Sequence, residues 1–192
     1  MTHRDTTITD LDLAGLAGEA VDVALSMDED AFGGFYDRTA RPLHAYLCRL
    51  TGDRSAADDL LQDTYYRFLR ANAPTETDAH RRHYLFRIAT NLAADRARRQ
   101  RTRPLMSDRH PDRIGGASAE AALDRRMDLD AALAQLRVRE RAMIWLAYTQ
   151  GASHEEIARM VGLRTSSVKP LLLRARRRLA ELLGRPHRGG QR

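Results

Sequence analysis

The run Asp58-Asp59-Leu60-Leu61-Gln62-Asp63 brings four oxygen-bearing side chains, Asp58, Asp59, Gln62 and Asp63, onto one surface of a helix by the three- and four-residue rule. Aspartates so spaced can chelate magnesium for a diphosphate substrate, as in prenyl-transfer enzymes. That chemistry needs a second metal-binding motif on a facing helix and a large apolar cavity. Neither is evident, and a domain of about 75 residues has no volume for such a cavity. His80 and His83 stand three apart at the start of a helix, with no recognisable third ligand, and read as solvated surface. Cys48 is the only cysteine, which excludes internal disulfides and a cysteine-based zinc site; its apolar helical surroundings make it a core residue. The sequence therefore predicts no catalytic residue, no metal, no cofactor and no small-molecule substrate. It leaves a compact acidic patch suited to a basic partner protein.

The second chemistry is polyanion binding. The net charge of +6 is strongly segregated along the 192 residues. Residues 81–103 hold eight arginines against Asp95, and residues 164–192 hold eight arginines and Lys169 against Glu181. The first 31 residues, by contrast, carry a net −7. Two separate basic blocks on an otherwise acidic chain predict a polyanion held at two places, where uniform basicity would argue only for solubility. Lys169 is the sole lysine, a bias that a G+C-rich genome would also produce, so not every arginine is credited with a phosphate.

The second basic block includes a helix-turn-helix pattern between Gly151 and Leu182. Ser153 and Glu156 form a Ser-x-x-Glu capping box. Ala158 is small where two helices must cross closely, and Gly162 lies where the chain must reverse. Ile157, Val161, Leu163, Val168 and Leu172 have the spacing that buries two short helices against each other. A cationic second helix at a steep angle to its partner fits the major groove of duplex DNA. Thr165, Ser166 and Ser167 offer caps for that helix, and Pro170 favours a late start, near Ser166 or Ser167, or else a bend. Base-edge contacts are then expected from Arg164, Thr165, Ser166 and Lys169 and phosphate contacts from Arg174, Arg176 and Arg177, with Ser167 on the same DNA-binding surface. Leu171 either stands on the DNA-facing side or packs into the core.

These motifs require helices to carry them. From Asp28 to about Ala71 the apolar residues recur at helical spacing, through Phe35, Leu43, Tyr46, Leu47 and Leu50, with a break or kink expected at Arg41-Pro42. Thr51-Gly52-Asp53 ends that helix, and Ser55 is expected to cap the next, which buries Leu60, Leu61, Tyr65, Phe68 and Leu69. A loop from Asn72 to Asp78 precedes a third helix burying Tyr84, Leu85, Ile88, Ala89 and Leu92. Two prolines and Gly115-Gly116 give 104–119 a linker composition. Beyond it, helices are expected near Ala121–Leu136 and Val138–Thr149. The fold class is all-α: two small helical domains, 28–103 and 120–183, joined by a flexible linker, the second a helix-turn-helix domain. An acidic flexible N-terminus (1–27) and a disordered basic tail (184–192) flank them. No run approaches the roughly 18 apolar residues of a membrane span, and the acidic N-terminus lacks the positive charge of a secretory signal. A cytoplasmic protein without membrane contact is expected.

In order and spacing, three blocks resemble a bacterial RNA polymerase sigma factor of the extracytoplasmic-function group. They are ADDLLQDTYYRFLR (57–70), YLFRIATNLAADRARRQR (84–101), and the helix-turn-helix preceded by LAQLRVRERAMIWLAY (133–148). The resemblance implies that Asp58, Asp59, Gln62 and Asp63 dock a coiled coil of the largest polymerase subunit. It implies that the second block opens and reads the upstream promoter element. Arg81, Arg82, Arg87, Arg96, Arg98 and Arg99 can line a groove for the DNA backbone. Tyr84 and Phe86 offer rings for unstacked bases, one of the two being expected in the core. Tyr84 stands where the family usually has tryptophan. Asn91 matches a family asparagine and is read as bracing the segment 72–83, whose side chains would read a flipped base. Pro170-Leu171 replaces the family's usual serine and arginine. The partners implied are core RNA polymerase, promoter DNA as duplex and as melted strand, and an anti-sigma factor. The alternative from the residues alone is a helix-turn-helix regulator acting on duplex DNA without polymerase.

Overall fold

A computed structural model describes residues 29–71, 77–102 and 120–184; the acidic N-terminal stretch, the loop 72–76, the segment 103–119 and the tail from 185 lie outside it. Seven helices make up the described chain: α1 (Glu29–Thr51), α2 (Arg54–Arg70), α3 (Asp78–Thr102), α4 (Glu120–Ala134), α5 (Val138–Tyr148), α6 (His154–Val161) and α7 (Thr165–Leu183). No strand occurs among the described residues, and no described helix is long and apolar enough to cross a membrane.

Phe35, Thr39, Leu43, Tyr46, Leu47 and Leu50 form the buried face of α1, so the helical period read from the sequence is the one that packs. The helix is unbroken at Pro42, where a break or kink is expected from sequence. Gly52, at φ +69°, takes the left-handed turn that ends it. The cap of α2 is Asp53, whose Oδ1 accepts from the Ala56 amide at 3.1 Å, and not Ser55. Thr51 decides this: its hydroxyl oxygen accepts from the Asp53 amide and fixes Asp53 in an extended conformation that aims its carboxylate at the new helix. Thr77 does the same for α3, its Oγ1 accepting from the His80 amide at 3.2 Å. Phe35 stacks on Phe68, with centroids 5.2 Å apart, which ties α1 to α2.

The second unit is built on caps that the sequence shows directly. Ser153 and Glu156 exchange both bonds of their capping box. Gly162 is left-handed, and the Leu163 amide reaches back to the Ala158 carbonyl at 2.9 Å, closing α6 as a Schellman turn. The start of α7 differs from expectation. Arg164 is the extended cap residue, it makes no side-chain cap, and helix begins at Thr165. Neither Ser166 nor Ser167 starts it. Leu163 follows directly on the glycine turn, and Val168, Leu172 and Ala175 must all reach the core, which fixes the helical phase early. The first turn tightens instead, with the Ser167 amide bonding to the Arg164 carbonyl at 2.9 Å. Pro170 therefore lies in the second turn, where it cannot donate to the Ser166 carbonyl.

The two units share one hydrophobic core. α1, α2 and α3 pack on one another, as do α5, α6 and α7, with α4 against α7; α1 and α3 also pack against α5, and α3 against α6. Burial on α3 thus spreads beyond the face expected from sequence, to Phe86, Thr90, Ala93 and His83, while Tyr84 and Ile88 are only half-buried.

Two stability measurements check these assignments. Asp53→Ala should cost about 1 kcal/mol and Ser55→Ala much less, because only Asp53 satisfies an amide at the start of α2; equal losses in denaturant titrations would remove the cap. Leu171 is half-buried against the core, so Leu171→Arg should lower the melting temperature by an amount equivalent to about 1–2 kcal/mol and weaken DNA binding at every salt concentration. An unchanged melting temperature, with tighter and more salt-dependent binding, would place Leu171 on the DNA side instead.

Candidate docking and nucleic-acid interfaces

Asp58, Asp59, Gln62 and Asp63 are all exposed on the outer surface of α2, opposite Leu60, Tyr65 and Phe68, which are buried. No acidic residue falls in the first turn of this helix, so the helix dipole does not account for Asp58 and Asp59. Asp58 is also held in place, because His44 Nε2 lies 2.8 Å from its Oδ1 across the α1–α2 groove. One turn beyond the acids stands Tyr66, 59% exposed, with the Arg70 guanidinium 5.4 Å over its ring. Asp59, Asp63, Tyr66 and Arg70 form one line along the helix by the three- and four-residue rule. Tyr66 was not singled out from sequence; its signal was a second tyrosine beside one already needed for the core.

Along α3 the structure separates the two aromatic candidates. Phe86 is fully buried, 5.1 Å from Tyr46, and belongs to the core. Tyr84 is half-buried, its ring 6.3 Å from Phe68. Arg87 and Asn91 are exposed one and two turns further on, which gives Tyr84, Arg87 and Asn91 one open stripe. Arg98 and Arg99 are exposed and Arg96 half-buried near the far end, Arg98 pairing with Asp95 at 3.0 Å. At the near end Asp78 accepts from Arg81 at 2.9 Å and Arg38 at 2.7 Å, and Arg81 and then Arg38 hold its carboxyl below the usual range. Residues 78–83, expected as part of a base-reading segment, are helical.

His83 is not the solvated residue expected. It is buried beneath α6, with Nε2 3.7 Å from Glu156 Oε1, and burial outweighs that carboxylate to depress its ordinary value. Glu156 is in turn held low by its bonds from Ser153, backbone first. Arg82 donates to Gln150 Oε1 at 2.6 Å and lies 5.5 Å over the Phe86 ring. Gln150, in the turn before α6, was invisible to a motif reading. Among the described residues no group of three or more His, Cys, Asp or Glu side chains could hold a metal.

At the helix-turn-helix, Arg164, Thr165, Ser166 and Lys169 are exposed around the first turns of α7, and Ser167 is half-buried. Arg174, Arg176 and Arg177 are exposed further along, with Arg176 5.7 Å over the Tyr148 ring. The arrangement offers hydrogen-bonding groups at the helix N-terminus and guanidinium groups behind them.

Residues 35–103 match the Sigma-70 region 2 family and residues 126–179 match Sigma-70 region 4. The chain is 37% identical over 160 residues to the ECF RNA polymerase sigma factor SigM of Mycobacterium tuberculosis, covering 82% of this chain and 79% of that protein. It is 35% identical to the sigma factor SigL of the same organism, covering 71% and 80%. Among solved structures it is similar to CnrH in complex with the cytosolic domain of CnrY, with a TM-score of 0.59 and 26% identity over 82% of this chain and 90% of that one. It is also similar to RpoE bound to the anti-sigma factor NepR from Bartonella quintana, with a TM-score of 0.56 and 25% identity, covering 80% and 97%. With Sigma-70 region 2 over the first three helices and region 4 over the helix-turn-helix behind them, the chain belongs to the ECF RNA polymerase sigma factors.

Proposed function

We propose that the α2 patch docks core RNA polymerase, that the Tyr84–Arg87–Asn91 stripe of α3 holds the melted upstream promoter element, and that α7 reads a more distant element as duplex. The observation that carries this reading is the presence of both surfaces on one three-helix unit: exposed acids on α2 and an open aromatic–cationic stripe on α3. A helix-turn-helix regulator acting without polymerase has no use for either. The corresponding domains are 28–103 and 120–183, with 104–119 passing through the polymerase between them. The protein works in the cytoplasm, where its polymerase is. The similar chains RpoE and CnrH were solved with NepR and with the cytosolic domain of CnrY, which supports an anti-sigma partner for this chain as well.

The α3 stripe opens DNA by capture, without chemistry. Stacking one base on an aromatic side chain contributes about 1–3 kcal/mol, and one DNA stacking step costs on average about 1.4 kcal/mol. Tyr84 thus offsets roughly one step, and the arginines and the polymerase must hold the rest of the strand. On α7, an early helix start puts Arg164, Thr165, Ser166, Ser167 and Lys169 at the end that enters the major groove, with Arg174, Arg176 and Arg177 placed for phosphates.

Run-off transcription with purified core polymerase on genomic DNA fragments tests the function, and variants test the assignments. Asp59→Arg should reduce co-purification with core roughly tenfold at unchanged melting temperature, since the side chain is exposed; undiminished co-purification would remove α2 from the docking surface. Tyr84→Ala and Asn91→Ala should each cut permanganate reactivity of promoter thymines roughly tenfold while duplex binding persists. Wild-type melting by both would overturn the role given to α3.

A further inference from the structure

We propose that Pro170 and Leu173 of α7 form an apolar reader that seats on the 5-methyl groups of two neighbouring thymines in the major groove of the distal element. The proposal deepens the reading of α7 given above and rests on it. Helix begins at Thr165, so Ser166, Lys169, Pro170 and Leu173 fall at i, i+3, i+4 and i+7 along one stripe. All four are exposed, Leu173 at 45%. Pro170 and Leu173 face away from the buried side of the helix, which carries Val168, Leu172 and Ala175. A helix lying in the major groove meets base edges with a stripe of that spacing. Ser166 and Lys169 bring hydrogen-bonding groups to it, whereas the side chains of Pro170 and Leu173 bring carbon alone.

A lone exposed leucine is ordinary, but Pro170 is costly. It gives up the hydrogen bond to the Ser166 carbonyl and buries nothing in exchange, because it is exposed in the second turn. Its neighbour Leu171, by contrast, packs against the core. A local rule broken without a packing gain marks a position held for another purpose. The surroundings name the occupant. Arg164 and Lys169 precede the pair and Arg174 and Arg177 follow it, all exposed, and no acidic residue occurs on α7 before Glu181. A carbon surface set among cations suits a duplex, whose phosphates flank the groove in which the methyl groups lie.

Base chemistry then selects thymine. In the major groove thymine alone offers a methyl group, while cytosine offers an amino donor. Pressed against a pyrrolidine ring and a leucine side chain, that donor would be left unpaired, so cytosine is penalised as well as thymine favoured. Three residues of α-helix rise about 4.5 Å, against about 3.4 Å for one base step, so the pair meets two consecutive base pairs. Lys169, beside Pro170 on the stripe, is placed for guanine O6 and N7 on the adjoining pair.

Deleting thymine methyl groups one at a time tests this. The probes are synthetic duplexes of a promoter recovered by run-off transcription, each with one thymine of the distal element replaced by deoxyuridine. The protein is the full-length chain assembled with core polymerase. Replacements at two consecutive base pairs should each weaken binding about fourfold, the worth of one buried methyl group. Pro170→Ser should abolish the penalty at one of them and Leu173→Asn at the other, both variants keeping the parent's co-purification with core. Pro170→Ala restores the missing amide donor, so it should raise the melting temperature. It should also shrink the deoxyuridine penalty, which a proline with a purely structural role would not do. A distal element without such thymines, or penalties that persist unchanged in either variant, would overturn the proposal. So would loss of co-purification with core in either variant, which would assign the pair to the polymerase instead. Failure of the parent chain with core to transcribe from any fragment would count against the proposed function itself.

Discussion

A helix has a limited circumference, and α3 has to divide it three ways. One side, through Leu85, Ala89 and Leu92, closes the trio with α1 and α2. A second, through His83 and Thr90, lies under α6. Only the remaining arc, with Tyr84, Arg87 and Asn91, is left for a partner. Phe86 shows how tight the division is: it sits next but one to Tyr84, yet it faces Tyr46 in the core and cannot serve a base.

The features that were legible in the sequence are those whose cause is local. The Ser153–Glu156 box, the left-handed Gly162 and the helical period of α1 each depend on residues within a few positions of one another, and each appears as read. The acidic patch was legible because exposure and helical spacing alone define it. The cap of α2 was misread because both Asp53 and Ser55 are good caps. The choice between them is made by the Thr51 hydroxyl, which belongs to the preceding helix. The start of α7 was misread for a similar reason. Pro170 argues for a late start in isolation, but Val168, Leu172 and Ala175 must meet the core together, and packing overrides the proline.

Gln150 has no motif to mark it and His83 reads as solvated from sequence, because the roles of both exist only once the two units meet. An imidazole three residues after another on a basic helix looks solvated, and it becomes buried through contact with a helix some 70 positions away, a separation of the kind also seen between Thr90 and Met160. Periodicity shows that a face is apolar, not that a second unit will cover its edge. The contrast explains why the helices could be placed from sequence while the surface of α3 could not be.

Gly162 joins two demands that would otherwise vary separately. Its left-handed backbone turns the chain from α6 into α7, and the turn it makes lies beside Arg87 of α3. A methyl group there would meet Arg87 only in ordinary contact, so the cost would come from the backbone, at about 1–2 kcal/mol for an L-residue in that conformation. The neighbour of Gly162 on the facing helix is the Arg87 side chain. Inherited changes at this one position would therefore alter DNA reading and the fit between the units together, so drift in one property is constrained by selection on the other.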